Sequence, residues 1–254
     1  MEDQFKLFGK NILQFSQQGD ITKARDEYER MISYQIQKVT GNPESFEEKA
    51  RLGYCFALIT EIDKQLAVDK KLVLLRDGIN LLEYIRSNSD DNMEPKHLLV
   101  FFGLLGTRGR ILYDNKNFDS AMEDINEAIK LSRELKGNFE PITKGHLARL
   151  FVLRATILYK NNRDHMTANT FPKDVANTCL KDVNEAISIL EIMKKSSPEV
   201  FNADFQLLLP RWYKLRDVLK SRVSLYEKQA RGGAYSEKLA KNSAIVFSLM
   251  EGRE

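Results

Sequence analysis

Cysteine is scarce. Cys55 and Cys179 are the two in 254 residues, too few for a disulfide scaffold and suited to a reducing compartment. Histidine occurs three times and glycine 13 times. No His/Cys cluster has metal-ligand spacing, no glycine-rich loop could cradle a phosphate, and no nucleophile elbow is present. These absences speak against an enzyme and lead us to expect no catalytic residue, no metal, no cofactor and no small-molecule substrate. Long apolar runs are missing too. The longest, Leu98 to Gly106, is about half of what a bilayer-spanning helix needs, and the opening MEDQFKLFGK has acids and no apolar core, unlike a secretory signal. A protein that works without a membrane, in the cytoplasm or alternatively the nucleus, is expected. Stretches that alternate polar and apolar residues are also absent, which argues against a sheet.

Charge of one sign is not in excess overall, since 39 basic residues stand against 36 acidic ones for a net charge of +3. The placement is uneven. Arg211 to Glu254 hold ten Lys/Arg against five Asp/Glu, and the first 210 residues hold 29 against 31. The body is neutral and the C-terminal stretch is basic, a local clue rather than the basic stripe of a nucleic-acid binder.

What is present is helical periodicity. Ile21, Ala24, Tyr28, Met31 and Ile32 share one helical face, as do Phe118, Ala121, Ile125, Ala128 and Ile129. Turn-forming residues cluster at Thr40 to Pro43, Ser87 to Pro95, Lys136 to Pro141 and Lys194 to Pro198, so four of the six prolines mark breaks. The segments between are long enough for two antiparallel helices each. Pro210 is read as lying near the start of a helical stretch, where its fixed φ does least harm. Arg231-Gly-Gly233 precedes a last short stretch whose Leu239, Ile245, Val246, Leu249 and Met250 suit a terminal cap. The expectation is an all-α single domain over 1–254, with helical hairpins at roughly 1–39, 44–86, 95–136, 141–194 and 199–250.

Internal repetition strengthens this reading. Arg108-Gly-Arg-Ile-Leu-Tyr-Asp-Asn115 matches Arg154-Ala-Thr-Ile-Leu-Tyr-Lys-Asn161, 46 residues later. Downstream, Ala121 to Leu131 (AMEDINEAIKL) matches Cys179 to Ile189 (CLKDVNEAISI), 58 residues later. The later copy therefore carries about 12 extra residues, Asn162 to Lys173, which read as a loop within the hairpin.

These blocks resemble the tetratricopeptide repeat family. Gly109, Leu112, Phe118, Ala121 and Ala128-Ile129 stand at the family's spacing, and Phe15, Gly19-Asp20, Ala24, Tyr28 and Ile32 are similar, with Met31 replacing the second alanine. Of the 46–86 hairpin only Gly53 and Leu58 fit, and the distance between repeats exceeds the family's 34 residues, so the chain looks like a divergent, long-helix relative. The resemblance implies a right-handed α-solenoid of about five hairpins with a C-terminal capping helix. Its concave groove would be lined by the first helix of each pair.

In that register the outward positions of the first helices are Tyr54, Arg110, Tyr113, Arg149, Tyr159 and Lys160. Aromatic and guanidinium groups on one groove suit an extended or helical peptide, acidic in character, from a partner protein. The lysine-and-asparagine clamp by which some members hold the acidic tails of chaperones is absent in register, where Gly9, Leu13, Gly106 and Arg110 stand; Lys10-Asn11 falls outside it. The expected function is a non-catalytic adaptor or scaffold, a subunit of a larger complex. One alternative is nucleic-acid association through a basic helix at 211–228, with Arg211, Lys214, Lys220 and Arg222 as its patch and Trp212 and Tyr213 beside them. Another is a 14-3-3-like phosphopeptide binder. His165, with Asp164 and Asn169, lacks further metal ligands, and its loop reads as a candidate partner contact. Cys55 and Cys179 read as buried small apolar residues.

Overall fold

The computed structural model describes residues 4–89, 93–135, 140–162, 173–201 and 203–230, with Ile245 and Leu249 beyond them. Among these residues there are nine α-helices and no strand: α1 (Gln4–Gln17), α2 (Ile21–Gly41), α3 (Phe46–Ile62), α4 (Val68–Ser87), α5 (Pro95–Asp114), α6 (Phe118–Glu134), α7 (Pro141–Asn161), α8 (Lys173–Ser196) and α9 (Ala203–Ala230). No described helix is long and apolar enough to cross a membrane.

Local chemistry sets the ends of these helices. Asp20 caps α2 by accepting from the Lys23 N–H, and Ser45 caps α3 by accepting from the Glu48 N–H. Pro95 and Pro141 open α5 and α7, where their missing N–H has no intrahelical partner to lose. Gly19 takes a left-handed φ of 73° between α1 and α2, and Lys116 does the same at 63° just before α6.

The packing falls into two compact units, Met1–Asn115 with Lys130–Leu135, and Lys116–Ile129 with Lys136–Glu254. In the first unit α1 packs on α2, α2 on α3 and α3 on α4, while α5 lies against both α3 and α4. Ile12, Tyr28, Met31, Cys55 and Ile59 form the core of the first three helices, walled by Phe5, Phe8, Ile32, Leu58, Ile62 and Leu74. Gly53 and Gly78 let α3 and α4 approach closely, since a Cβ on Gly78 would lie 3.5 Å from the Gly53 Cα and 2.9 Å from Leu104 of α5. In the second unit α7 packs on α8 and α8 on α9. The repeated blocks bury matching positions: Ala121 and Cys179, Ile125 and Val183, Ala128 and Ala186 are all 0% exposed.

One helix departs from expectation. Pro210 lies inside α9, with seven helical residues before it, rather than near its start. A mid-helix proline costs about 3 kcal/mol, and burial of Phe205 and Leu209 in the turns ahead of it offsets that cost. The capping stretch after 233 lies outside the described residues apart from Ile245 and Leu249, as does the His165 loop from 163 to 172.

Two features of the fold respond to pH. Asp63 follows α3, accepts from the N–H groups of Gln65 and Leu66 at 3.0 and 3.1 Å, and meets the Arg25 guanidinium at 2.7–2.8 Å. Burial raises its pKa, but the Arg25 hydrogen bond and charge and the two amides outweigh burial and hold the carboxyl below its ordinary 3.8. A depressed carboxylate stabilises the fold above its unfolded pKa, so this contribution is in place above about pH 4 and is lost as pH falls below it. Asp63→Asn is expected to flatten the acid arm of the first unit's unfolding, read by trapping Cys55 with a pyridyl disulfide that reacts in acid. An unaltered acid profile would remove Asp63 from that role.

Cys55 and Cys179 are fully buried, as read from the sequence, and burial pushes both thiols up to about 12. Ellman's reagent at pH 8 is expected to find no reactive thiol in the native chain and both after denaturation. The unfolded chain releases these protons near 9.0 while the fold holds them to about 12. Their contribution to stability is therefore full below pH 9 and declines as pH rises beyond it. A thiol that titrates near pH 8 in the folded chain would contradict the burial.

Candidate protein-binding surface

The first unit brings two of the expected groove residues onto one face. On α3, Glu47, Tyr54 and Glu61 are spaced by seven and therefore share a helical face; on α5, Lys96, Gly103 and Arg110 do the same. The ends of the two sets meet in order. Glu47 Oε2 lies 2.6 Å from Lys96 Nζ and 3.4 Å from His97 Nε2, and Glu47 Oε1 accepts from Arg51 Nε at 3.1 Å. At the other end Glu61 Oε1 accepts from the Thr107 hydroxyl at 3.2 Å and lies 3.9 Å from Arg110 Nη2. First turn meets first turn and last turn meets last turn, so α3 and α5 run parallel.

Between these crosslinks Tyr54 is 43% exposed. Its ring is tilted against Phe5 of α1 at 6.5 Å, and the Arg51 guanidinium sits 5.6 Å from the Phe5 ring. Gly103 occupies the middle of the α5 set, where an added Cβ would meet nothing within 4 Å. The face therefore offers an aromatic pair on α1 and α3 and open space at Gly103, with Arg51 on α3 and Lys96 and Arg110 on α5. The hydrogen bond from Lys96 is the largest influence on Glu47 and holds its carboxyl below the ordinary value; burial opposes it, while the His97 hydrogen bond and the Lys96 and Arg51 charges add to it. Glu47 thus stays ionised and holds Lys96 and Arg51 in place. Tyr113, on the same helix as Arg110, is half-buried.

Residue-by-residue reading missed Phe5, Glu47, Glu61, Lys96 and Gly103. The seven-residue spacing on both helices was the signal that could have found them.

The other three expected groove residues lie in the second unit. Arg149 is half-buried with its guanidinium 5.0 Å from the Phe205 ring, and Lys160 is half-buried with Nζ 5.3 Å from Phe118. Tyr159 does not face outward. It is 1% exposed and its hydroxyl accepts from Arg222 Nη1 at 2.8 Å, because it falls on the same stripe of α7 as the buried Ala148 and Ala155.

The basic patch of α9 is not assembled as expected either. Arg222 is 3% exposed, on the stripe of Leu215 and Leu219, and faces Tyr159. Arg211 Nε donates to the Leu249 carbonyl at 2.7 Å, which leaves Lys214 and Lys220 as the exposed members. Trp212 is buried, and Tyr213 hydrogen-bonds Glu191.

The second unit holds instead a buried polar knot. Arg154 of α7 donates to Asp182 of α8 through Nε at 2.8 Å and Nη2 at 2.6 Å, and Nη1 reaches Asn126 of α6 at 3.2 Å. The Asp182 side chain is 1% exposed and that of Arg154 18%. Such bidentate geometry fixes the spacing and rotation of the helices it joins. Among the described residues no three His, Cys, Asp or Glu side chains are grouped to hold a metal ion. No protein-family model matches the chain, and no curated protein matches it.

Proposed function

We propose that the chain is a non-catalytic adaptor, a tetratricopeptide-like helical-repeat protein that holds a segment of a partner protein on the α3–α5 face of its first unit. The observation that carries this reading is the pair of ion-paired ends, Glu47–Lys96 and Glu61–Arg110, on parallel helices whose middle positions carry the exposed Tyr54 and the open space at Gly103. The parallel course of α3 and α5, first helices of successive pairs, supports stacked hairpins; the right-handed solenoid and its five-hairpin extent belong to the same proposal. The partner segment, extended or helical, brings acidic side chains to Arg51, Lys96 and Arg110 and a side chain into the space at Gly103. The cytoplasm is the compartment proposed, and a larger complex the setting.

Gly103 makes the test sharp. A helical glycine costs up to about 1 kcal/mol against alanine, and a Cβ at half-buried Gly103 meets nothing within 4 Å, so Gly103→Ala is expected to stabilise the first unit by about that much. Gly103→Leu, which fills the open space beside Tyr54's helix, is expected to keep the fold and weaken capture of the purified partner by at least about tenfold, and Arg110→Glu to abolish it. Undiminished capture by both variants would sink the assignment of this face.

A further inference from the structure

We infer that Phe5 is the chain's own occupant of an aromatic seat made by Tyr54 and Arg51, and that the partner segment brings an aromatic side chain to that seat in its place. The inference deepens the α3–α5 reading and rests on it for the partner.

The seat is built on α3. Arg51 and Tyr54 stand three residues apart and so share a helical face. Arg51 is held in position: its Nε donates to Glu47 Oε1 at 3.1 Å, and Glu47 is held in turn by Lys96 at 2.6 Å. Phe5 meets both members of the seat. Its ring is tilted at 48° to that of Tyr54 with centroids 6.5 Å apart, and the Arg51 guanidinium lies 5.6 Å from its centroid. A tilted ring pair and a cation near a ring are both attractive. An aliphatic side chain in the same place forfeits both. With Phe5 in place Tyr54 is still 43% exposed, so the seat borders solvent.

The hold on Phe5 is local. In the first turn of α1, Gln4, Lys6 and Leu7 are exposed, and Phe5 alone is half-buried. The rest of α1 is fastened without it: Ile12 lies in the core, the Phe8 ring packs on Tyr34 at 5.7 Å, and Asn11 Nδ2 donates to the buried Glu27 at 2.7 Å. Helix ends open at low cost, so the first turn leaves the seat while Phe8 to Gln17 stay docked. An incoming aromatic ring regains the contacts that Phe5 gives up. Occupancy by Phe5 therefore lowers the apparent affinity for that ring and sets a threshold for the partner.

The test refills the seat in the full chain. N-acetylphenylalanine amide is titrated into wild type and Phe5→Ala, with the Arg51 Nε–H resonance as the readout. Phe5→Ala, its seat vacated, is expected to bind this probe at least about fivefold more tightly than wild type. Tyr54→Ala added to Phe5→Ala is expected to remove that gain, and N-acetylleucine amide to leave the resonance in place. Equal binding by wild type and Phe5→Ala would overturn the inference, as would leucine amide binding as well as phenylalanine amide. Should Phe5→Ala open the core and make Cys55 reactive, wild type alone decides. Saturating probe should then quicken exchange of the Phe8 and Gly9 amides, whose helical acceptors lie at residues 4 and 5, by about fivefold; an unchanged rate overturns the displacement. The probe reads the seat without the partner, which separates the two readings. Capture that survives Arg110→Glu while the probe still binds strikes the α3–α5 face and with it the partner half of the inference. No probe binding, with capture still abolished by Arg110→Glu, keeps the face and overturns the seat.

Discussion

Asp182→Asn is expected to destabilise the second unit by about 3–5 kcal/mol, the cost of removing one member of a buried ion pair. The aspartate is 1% exposed, and both of its oxygens accept from Arg154, at 2.6 and 2.8 Å. An amide in its place offers one acceptor and turns an N–H group toward a guanidinium, which leaves a charge largely out of water without its counter-charge. Arg154 keeps some contact with solvent at 18% exposure, so the lower end of the range is the better expectation. Folded domains hold only about 5–15 kcal/mol, and a loss of this size moves the denaturant midpoint by a large fraction of its value. The single tryptophan, Trp212, is buried in the same unit and reports that unfolding by its emission. The double variant Arg154→Met/Asp182→Leu is expected to be nearer to wild type than either single, since an apolar pair of similar volume avoids the desolvation of both charges. A loss below about 1 kcal/mol in Asp182→Asn would mean that water reaches the pair.

The repeated sequence blocks contain both members of this knot, although nothing in the blocks marked them as partners. Arg154 and Asp182 sit at matching places to Arg108 and Asp124 in the earlier copy, and Asp124 too is buried, at 5% exposure. Periods of three and four located the helices, and the proline-marked breaks located the turns, because both follow from local chemistry. Small residues in the blocks, Ala121, Ala128, Ala155 and Ala186, are all fully buried where helices approach. Pairings across long sequence separation were less legible. A tyrosine and an arginine each favour an exposed tip, and their register alone placed Tyr159 and Arg222 outward. In the fold they hydrogen-bond to each other across 63 residues, so each removes the other's reason to face water. The α3–α5 face was half legible. Tyr54 and Arg110 were found one by one, whereas Glu47, Glu61 and Lys96 look like ordinary solvated charges until two helices are set parallel in one register. The second unit's Arg149 and Lys160 lie against Phe205 and Phe118, a use of cationic side chains that a groove-lining register does not foresee.

Gly145→Ala should cost the second unit about 2 kcal/mol, against the usual gain from alanine in a helix. A Cβ at position 145 would sit 2.7 Å from Cε1 and 3.1 Å from Cε2 of Phe205, and nearer still to Cζ. The Phe205 ring is 5% exposed, stacks on Phe201 at 6.2 Å and carries the Arg149 guanidinium 5.0 Å from its centroid. A ring held on several sides moves only with its backbone, so α9 must shift from α7. Gly53 provides the contrast: its added Cβ would meet the Leu82 Cδ2 at 2.7 Å, the tip of a side chain that can change rotamer. Helix propensity favours alanine over glycine by about 1 kcal/mol, while overpacking a filled core costs about 1–3 kcal/mol; an overlap with a rigid ring belongs at or beyond the top of that range. The loss is expected to be recovered in part by Phe205→Leu, which is destabilising alone but makes room for the methyl group. The coupling between the two sites should therefore favour the double variant by about 1 kcal/mol or more over additivity. Trp212, two turns along α9, should report both variants in urea. A Gly145→Ala chain as stable as wild type, or additive losses in the double variant, would show that α9 is not seated on this glycine and that the packing of α7 against α9 is looser than the geometry requires.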